Sequence, residues 1–127
     1  MINVNGIVLN NNRNELVQYN LSQENFTIPT SVTDIADNAF YGHEELKSVT
    51  IHTHLFSIGG GAFSGCNGLL KINIPNSVDF IGKYAFALCN NIKVIDIPKN
   101  TVYVGDRAFY KWNSDQIVNI IGKKNRQ

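Results

Sequence analysis

The sequence predicts an α/β repeat solenoid. Three observations carry that reading: a dipeptide recurring at fixed spacing, apolar columns in the same register, and a recurring glycine. Ala39-Phe40, Ala62-Phe63, Ala85-Phe86 and Ala108-Phe109 follow one another every 23 residues. Ile28, Ile51, Ile74, Ile97 and Ile120 keep that interval. So do Phe26, Val49, Ile72, Ile95 and Val118, and again Ile35, Ile58, Ile81 and Val104. Leu46, Leu69 and Ile92 form a further column that breaks at Asp115, and Gly59, Gly82 and Gly105 a turn column with Ala36 in the first unit. Such periodicity marks supersecondary units that cannot bury their apolar faces alone and must stack.

The elements follow in chain order. Ile7-Val8-Leu9, the polar stretch Asn10 to Asn14, and Leu16-Val17-Gln18-Tyr19 read as a β-hairpin within residues 1–25, covering the open first rung. Units 1 to 4 then begin at Phe26, Val49, Ile72 and Ile95, and Val118 opens the strand of a fifth. Each unit opens apolar–polar–apolar, as in Val49-Thr50-Ile51 and Ile72-Asn73-Ile74, the alternation of a half-buried strand. Pro29, Pro75 and Pro98 end three of these strands, because proline has no N–H for the ladder. A second extended piece follows, as in Val78-Asp79-Phe80-Ile81. Glycine turns the chain, and a short helical turn carries Ala-Phe. Stacking then pairs strand with strand in parallel and makes each column an internal ladder with rungs about 4.8 Å apart. The solenoid spans residues 26–121, and residues 122–127, with Lys123, Lys124 and Arg126, form a basic tail.

The pattern resembles the BspA-type leucine-rich repeat. Ile74-Pro75-Asn76-Ser77-Val78-Asp79-Phe80-Ile81-Gly82-Lys83-Tyr84-Ala85-Phe86-Ala87-Leu88-Cys89 carries the resemblance, combining Ile-Pro, Ile-Gly, Ala-Phe and Cys at fixed offsets. Ile28-Pro29 through Ala39-Phe40 carries it again. The departures are His52 in a proline slot, and Trp112 and Asp115 in the Cys and Leu slots of unit 4. They read as degeneration toward the end of an array. The resemblance implies a right-handed leucine-rich-repeat solenoid with its parallel sheet on the concave face of a horseshoe. It also implies a secreted or cell-surface protein acting in adhesion and binding host or extracellular matrix proteins.

Composition narrows the function classes. The chain has 127 residues, 43% hydrophobic and 17% charged, an ordinary globular balance. A net charge of +1 gives no electrostatic footprint for nucleic acid or a membrane surface. The first residues lack the basic-then-apolar pattern of a secretion leader, and no apolar run nears the roughly 18 residues a membrane helix needs.

Catalytic and metal motifs are weak. Cys66 and Cys89 occupy one slot in neighbouring units, a spacing that could suit a disulfide. Ladder side chains point the same way, however, so these cysteines read as buried free thiols. His52 and His54 share a strand face without further fixed ligands, and Gly59-Gly60-Gly61 lacks the Lys-Ser/Thr of a phosphate loop. No cofactor, metal or catalytic residue is expected, and the chain reads as a protein-binding module rather than an enzyme. The candidate protein-binding residues are the outward strand positions Thr27, Thr50, Asn73, Asp96 and Asn119, a polar stripe flanked by Lys47, Lys71 and Lys93. Phe56, Phe80 and Tyr103 occupy outward positions of the second extended piece, and Phe80 and Tyr103 are the candidate aromatic contacts. The alternative is a structural spacer, or a segment that self-associates through the last rung, Val118 to Ile121, whose strand edge is uncovered.

Overall fold

The computed structural model describes residues 1–121, so the basic tail lies outside the described residues. The predicted columns become ladders. The first strands of the units are β4 (Asn25–Thr27), β6 (Ser48–Thr50), β8 (Lys71–Ile72), β10 (Val94–Ile97) and β12 (Ile117–Ile120). They pair in parallel with the 23-residue register, Val49 facing Phe26 and Ile72, and Val118 facing Ile95. The ladder is interrupted between β8 and β10, giving a three-stranded and a two-stranded sheet. The second extended pieces are β5 (Asp34–Ile35), β7 (Ser57–Ile58), β9 (Phe80–Ile81) and β11 (Tyr103–Val104). They make the continuous ladder of the molecule and join the N-terminal strands in one seven-stranded sheet.

The N-terminal segment is a three-stranded meander rather than a single hairpin. β1 (Ile2–Val4), β2 (Ile7–Leu9) and β3 (Glu15–Tyr19) pair antiparallel, with Val4 facing Ile7 and Leu9 facing Leu16. Asn5 and Gly6 both take positive φ, 51° and 93°, the geometry of a two-residue hairpin turn. The expected β2–β3 turn is built by Asn10, whose Oδ1 accepts the Asn14 and Glu15 N–H groups, each at 2.9 Å. β3 then adds in parallel to β5, with Leu16 facing Ile35. The meander thus extends the second sheet by a rung and covers its first unit.

The core is one row of rings. Phe40 and Phe63 stack at 4.7 Å between centroids, Phe63 and Phe86 at 5.5 Å, and Phe86 and Phe109 at 6.0 Å. Tyr19, fully buried, extends the row at 4.9 Å from Phe40. Phe40, Phe63 and Phe86 are fully buried, whereas Phe109 at the end of the array is half-buried. Ile35, Ile58, Ile81 and Leu46, Leu69, Ile92 flank the row and are also buried. Each such side chain contributes roughly 1.5–3 kcal/mol, so the row is a large part of the stability.

The short helical turn at Ala-Phe is absent: among the described residues there is no helix. The N–H groups say why. Ala39, Ala62, Ala85 and Ala108 donate three residues back, closing single turns. The next N–H in units 1 to 3 goes sideways instead. Phe40 donates to the Ala62 carbonyl, Phe63 to Ala85 and Phe86 to Ala108, each at 2.8 Å. A helix needs these donors for its own carbonyls four residues back, and here the neighbouring rung takes them.

The glycine column has a different cause from the one its spacing implies. None of Gly59, Gly82 and Gly105 has positive φ. A Cβ on Gly59 would lie 2.6 Å from the Asp37 nitrogen, and on Gly82 or Gly105 it would collide with the Gly60 or Lys83 nitrogen. Close rung approach, not turning, demands glycine there. The left-handed turning position falls two residues later, where only unit 2 has glycine, at Gly61; units 1, 3 and 4 hold Asn38, Tyr84 and Arg107 there.

Candidate interaction surfaces

Cys66 and Cys89 are buried free thiols. Each sits under the ring of the preceding unit, Cys66 Sγ donating to the Phe40 carbonyl at 3.1 Å and Cys89 Sγ to the Phe63 carbonyl at 3.0 Å. Burial pushes the Cys66 thiol up to about 12 and raises Cys89 further, so neither is a nucleophile. Trp112, in the same slot of unit 4, repeats the bond with a different atom: Nε1–H donates to the Phe86 carbonyl at 2.8 Å. In units 2 to 4 the slot holds a donor aimed at the previous ring's carbonyl, and Cys and Trp both supply one.

The histidines are likewise engaged within the repeat. His52 Nε2 lies 2.9 Å from the Pro29 carbonyl, and its Nδ1 accepts the His54 N–H at 3.1 Å. Those partners suit a neutral ring with its hydrogen on Nε2. His43 Nδ1 lies 2.9 Å from Glu45, and that hydrogen bond holds the Glu45 carboxyl below its usual value.

The polar stripe lies where its periodicity puts it. Thr27, Thr50, Asn73, Asp96 and Asn119 are all exposed, Thr27 facing Thr50 and Asp96 facing Asn119 across the ladder. Asn119 Nδ2 donates to Asp96 Oδ1 at 3.0 Å. Asn73 stands just past β8. Strand alternation also leaves Val94 and Ile117 exposed and opposite each other beside this stripe. The alternation of Val94-Ile95-Asp96-Ile97 carried that signal.

The other sheet brings the candidate aromatics together. Phe80 and Tyr103 face each other across β9 and β11, stacked at 4.8 Å with ring planes 13° apart. Each remains 40% exposed. Phe56, Ser57, Asp79 and Val102 complete a shallow, open depression of about 450 Å³ around them. Val102, at 79% exposure, was not singled out in the sequence, because its column holds Phe56 and Asp79 in earlier units and has no common chemistry.

Among the described residues, no three His, Cys, Asp or Glu side chains are grouped to hold a metal, and no helix is long and apolar enough to cross a membrane.

Comparison with solved structures gives the same architecture. A leucine-rich repeat protein from Bacteroides capillosus superposes with a TM-score of 0.80 at 25% identity, covering 95% of this chain and 98% of that one. One from Bacteroides ovatus gives 0.76 at 27% identity, covering 94% of this chain but 33% of that one. A leucine rich cell surface protein from Faecalibacterium prausnitzii gives 0.72 at 25% identity, covering 93% of this chain and 42% of that one. No curated protein matches the sequence. The repeat signature of the BspA type Leucine rich repeat region matches residues 13–125 in six copies, and the chain therefore belongs to the BspA-type leucine-rich repeat family.

Proposed function

We propose that this chain is a protein-binding repeat module of a bacterial cell-surface or secreted protein, acting in adhesion to a host or extracellular matrix protein. The observation that carries the reading is the Phe80–Tyr103 stack, held in an apolar depression with both rings 40% exposed. Aromatic side chains are enriched where proteins bind one another, and rings pre-stacked on a rigid ladder lose little entropy on contact. The polar stripe from Thr27 to Asn119 is the second contact surface, supplying hydrogen bonds in a row along the rungs. The cell-surface description of the Faecalibacterium prausnitzii relative supports the setting. Binding, not catalysis, is the role, and nucleic acid is not the partner.

The test is a binding screen of the purified chain against a panel of extracellular matrix proteins. Phe80→Ser with Tyr103→Ser should weaken the protein it captures by about tenfold to a hundredfold, since interface aromatics carry roughly 1–3 kcal/mol. Asn73→Ala with Asp96→Ala should weaken it less, and neither pair should lower the melting temperature by more than a few degrees. Unchanged binding by both pairs refutes the assignment of these surfaces.

A second reading is self-association. Val102 is 79%, Ile117 50% and Ile121 48% exposed at the last rung, where β11 and β12 are sheet edges. Light scattering that finds a monomer at every concentration removes this reading.

A further inference from the structure

Each unit turns its Ala-Phe corner through two left-handed residues, one before the Ala and one after the Phe. The first position is held by Asn38, Gly61, Tyr84 and Arg107, with φ of 60°, 64°, 59° and 56°. The second is held by Gly42, Gly65, Leu88 and Lys111, with φ of 75°, 77°, 62° and 67°. Units 1 and 2 therefore use Asn and Gly, the residues that tolerate this conformation. Units 3 and 4 use four large side chains that do not. The backbone is the same in all four units, so the fold does not ask for Tyr, Leu, Arg or Lys. Strain accepted where a relaxed residue fits points to a use for the side chain.

Three of those side chains, Tyr84, Arg107 and Lys111, meet around Tyr110 in one exposed patch. Arg107 Nη1 donates to the Tyr84 hydroxyl at 3.4 Å. Tyr84 and Tyr110 pack edge to face at 5.6 Å, and the Lys111 ammonium sits 5.6 Å from the centre of the Tyr110 ring. Tyr84, Tyr110 and Leu88 are each about two-fifths exposed. Beside the patch, at unit 2, the equivalent positions are glycines, leaving a depression of about 370 Å³ floored by Gly60 and Gly61 with Lys83 at its edge.

We infer that this corner is a second binding surface, distinct from the aromatic depression on the sheet, and that its partner is an extended acidic polypeptide segment bearing aromatic or apolar side chains. Lys83, Arg107 and Lys111 supply the positive charge, the Tyr84–Tyr110 pair the apolar contact, and the glycine floor a path for backbone. Asp106 stands one unit on from Lys83, in the same column. A uniform polyanion would meet that carboxylate, whereas a polypeptide can set its own carboxylates around it. The inference does not depend on the sheet surfaces and survives their failure.

The test separates backbone strain from binding. In the full chain, Tyr84→Asn, Arg107→Gly and Lys111→Gly copy the residues of units 1 and 2. Each should raise the melting temperature by about 2–5 °C, because the left-handed backbone is relieved. The probe is a fluorescent octapeptide of alternating glutamate and tyrosine, with its lysine–tyrosine counterpart and a short heparin fragment as controls. The acidic peptide should bind wild type more tightly than about 1 mM and weaken at least about tenfold on the triple variant. The lysine peptide should not bind. Equal binding by wild type and the triple variant overturns the inference, as does affinity weaker than about 1 mM. Tighter binding of heparin than of the acidic peptide replaces the polypeptide with a sulfated polysaccharide. Variants that melt no higher than wild type remove the strain argument, and the inference with it.

Discussion

Units 2 and 3 and unit 4 are written in one 23-residue register, yet they differ in how completely they are buried. Phe63 and Phe86 have a ring on each side and no exposure. Phe109 has Phe86 on one side and is half-buried, and Val104, aligned with the fully buried Ile58 and Ile81, is 39% exposed. A ladder position is worth what its two neighbours make of it. The same residue in the same column stabilises an interior rung and only partly stabilises an end rung.

The two ends are finished differently as well. At the N-terminal end, the meander supplies a whole extra rung to one sheet, with Leu16 and Tyr19 fully buried. At the last unit, side chains from unit 4 do part of that work. Trp112 reaches the Phe86 carbonyl, and Gln116 Nε2 donates to the Cys89 and Ile92 carbonyls at 2.9 and 2.8 Å. The Gln116 Oε1 also accepts the Asn113 N–H at 2.7 Å. Trp112 and Gln116 thus tie unit 4 back to carbonyls of unit 3.

The comparison is sharpest in paired substitutions. Phe63→Ala should cost about 3–5 kcal/mol in denaturant unfolding, and Phe109→Ala about 1–2 kcal/mol, because the second ring keeps much of its exposure. Equal losses would mean that the last rung is as well packed as the interior. Next in size is the response to alkali. The Cys66 pKa is raised from 9.0 to about 12, and Cys89 is raised too. A raised pKa contributes stability that is complete below the unfolded value and is lost as pH climbs through the folded one. Stability should fall from about pH 9 upward, by roughly 1–1.5 kcal/mol per thiol at pH 10. Cys66→Ala with Cys89→Ala should flatten that fall, and the native thiols should resist a thiol reagent that labels both on unfolding. A pH profile unaltered by the double substitution would show that the thiols do not set it. The smallest effect is at Gln116. Gln116→Leu should cost about 1–2 kcal/mol, because two carbonyls lose a donor. Its hydrogen-exchange signature should be faster exchange confined to units 3 and 4. Loss of protection as far back as Phe40 would mean that the array unfolds as one block.

Much of the fold was legible from letters alone, because a solenoid repeats its contacts at the period of its sequence. The Phe row, the Ile35-Ile58-Ile81 column, the parallel register and the exposed stripe from Thr27 to Asn119 all follow from position within the 23-residue unit. The 23-residue spacing also puts Phe80 opposite Tyr103, whereas the near-parallel stacking of their rings was decided by the structure. The β1 strand was missed, although the Asn5-Gly6 turn before Ile7 carried its signal. The left-handed corners were not legible, because Tyr84, Leu88, Arg107 and Lys111 hide a requirement that Gly and Asn advertise elsewhere.

The sequence by itself determined the rung: which residues face inward, where strands start and stop, and how far apart equivalent atoms lie along the chain. Tertiary structure decided what became of the polar backbone at each corner. The Phe N–H groups bond across to the next rung, so a segment with helical spacing forms a turn instead. That choice also sets Tyr84 and Arg107 side by side, from units 23 residues apart. The reason is physical: periodicity fixes which groups can meet, but only stacking supplies the neighbouring donors, acceptors and close contacts that select among the conformations each segment allows.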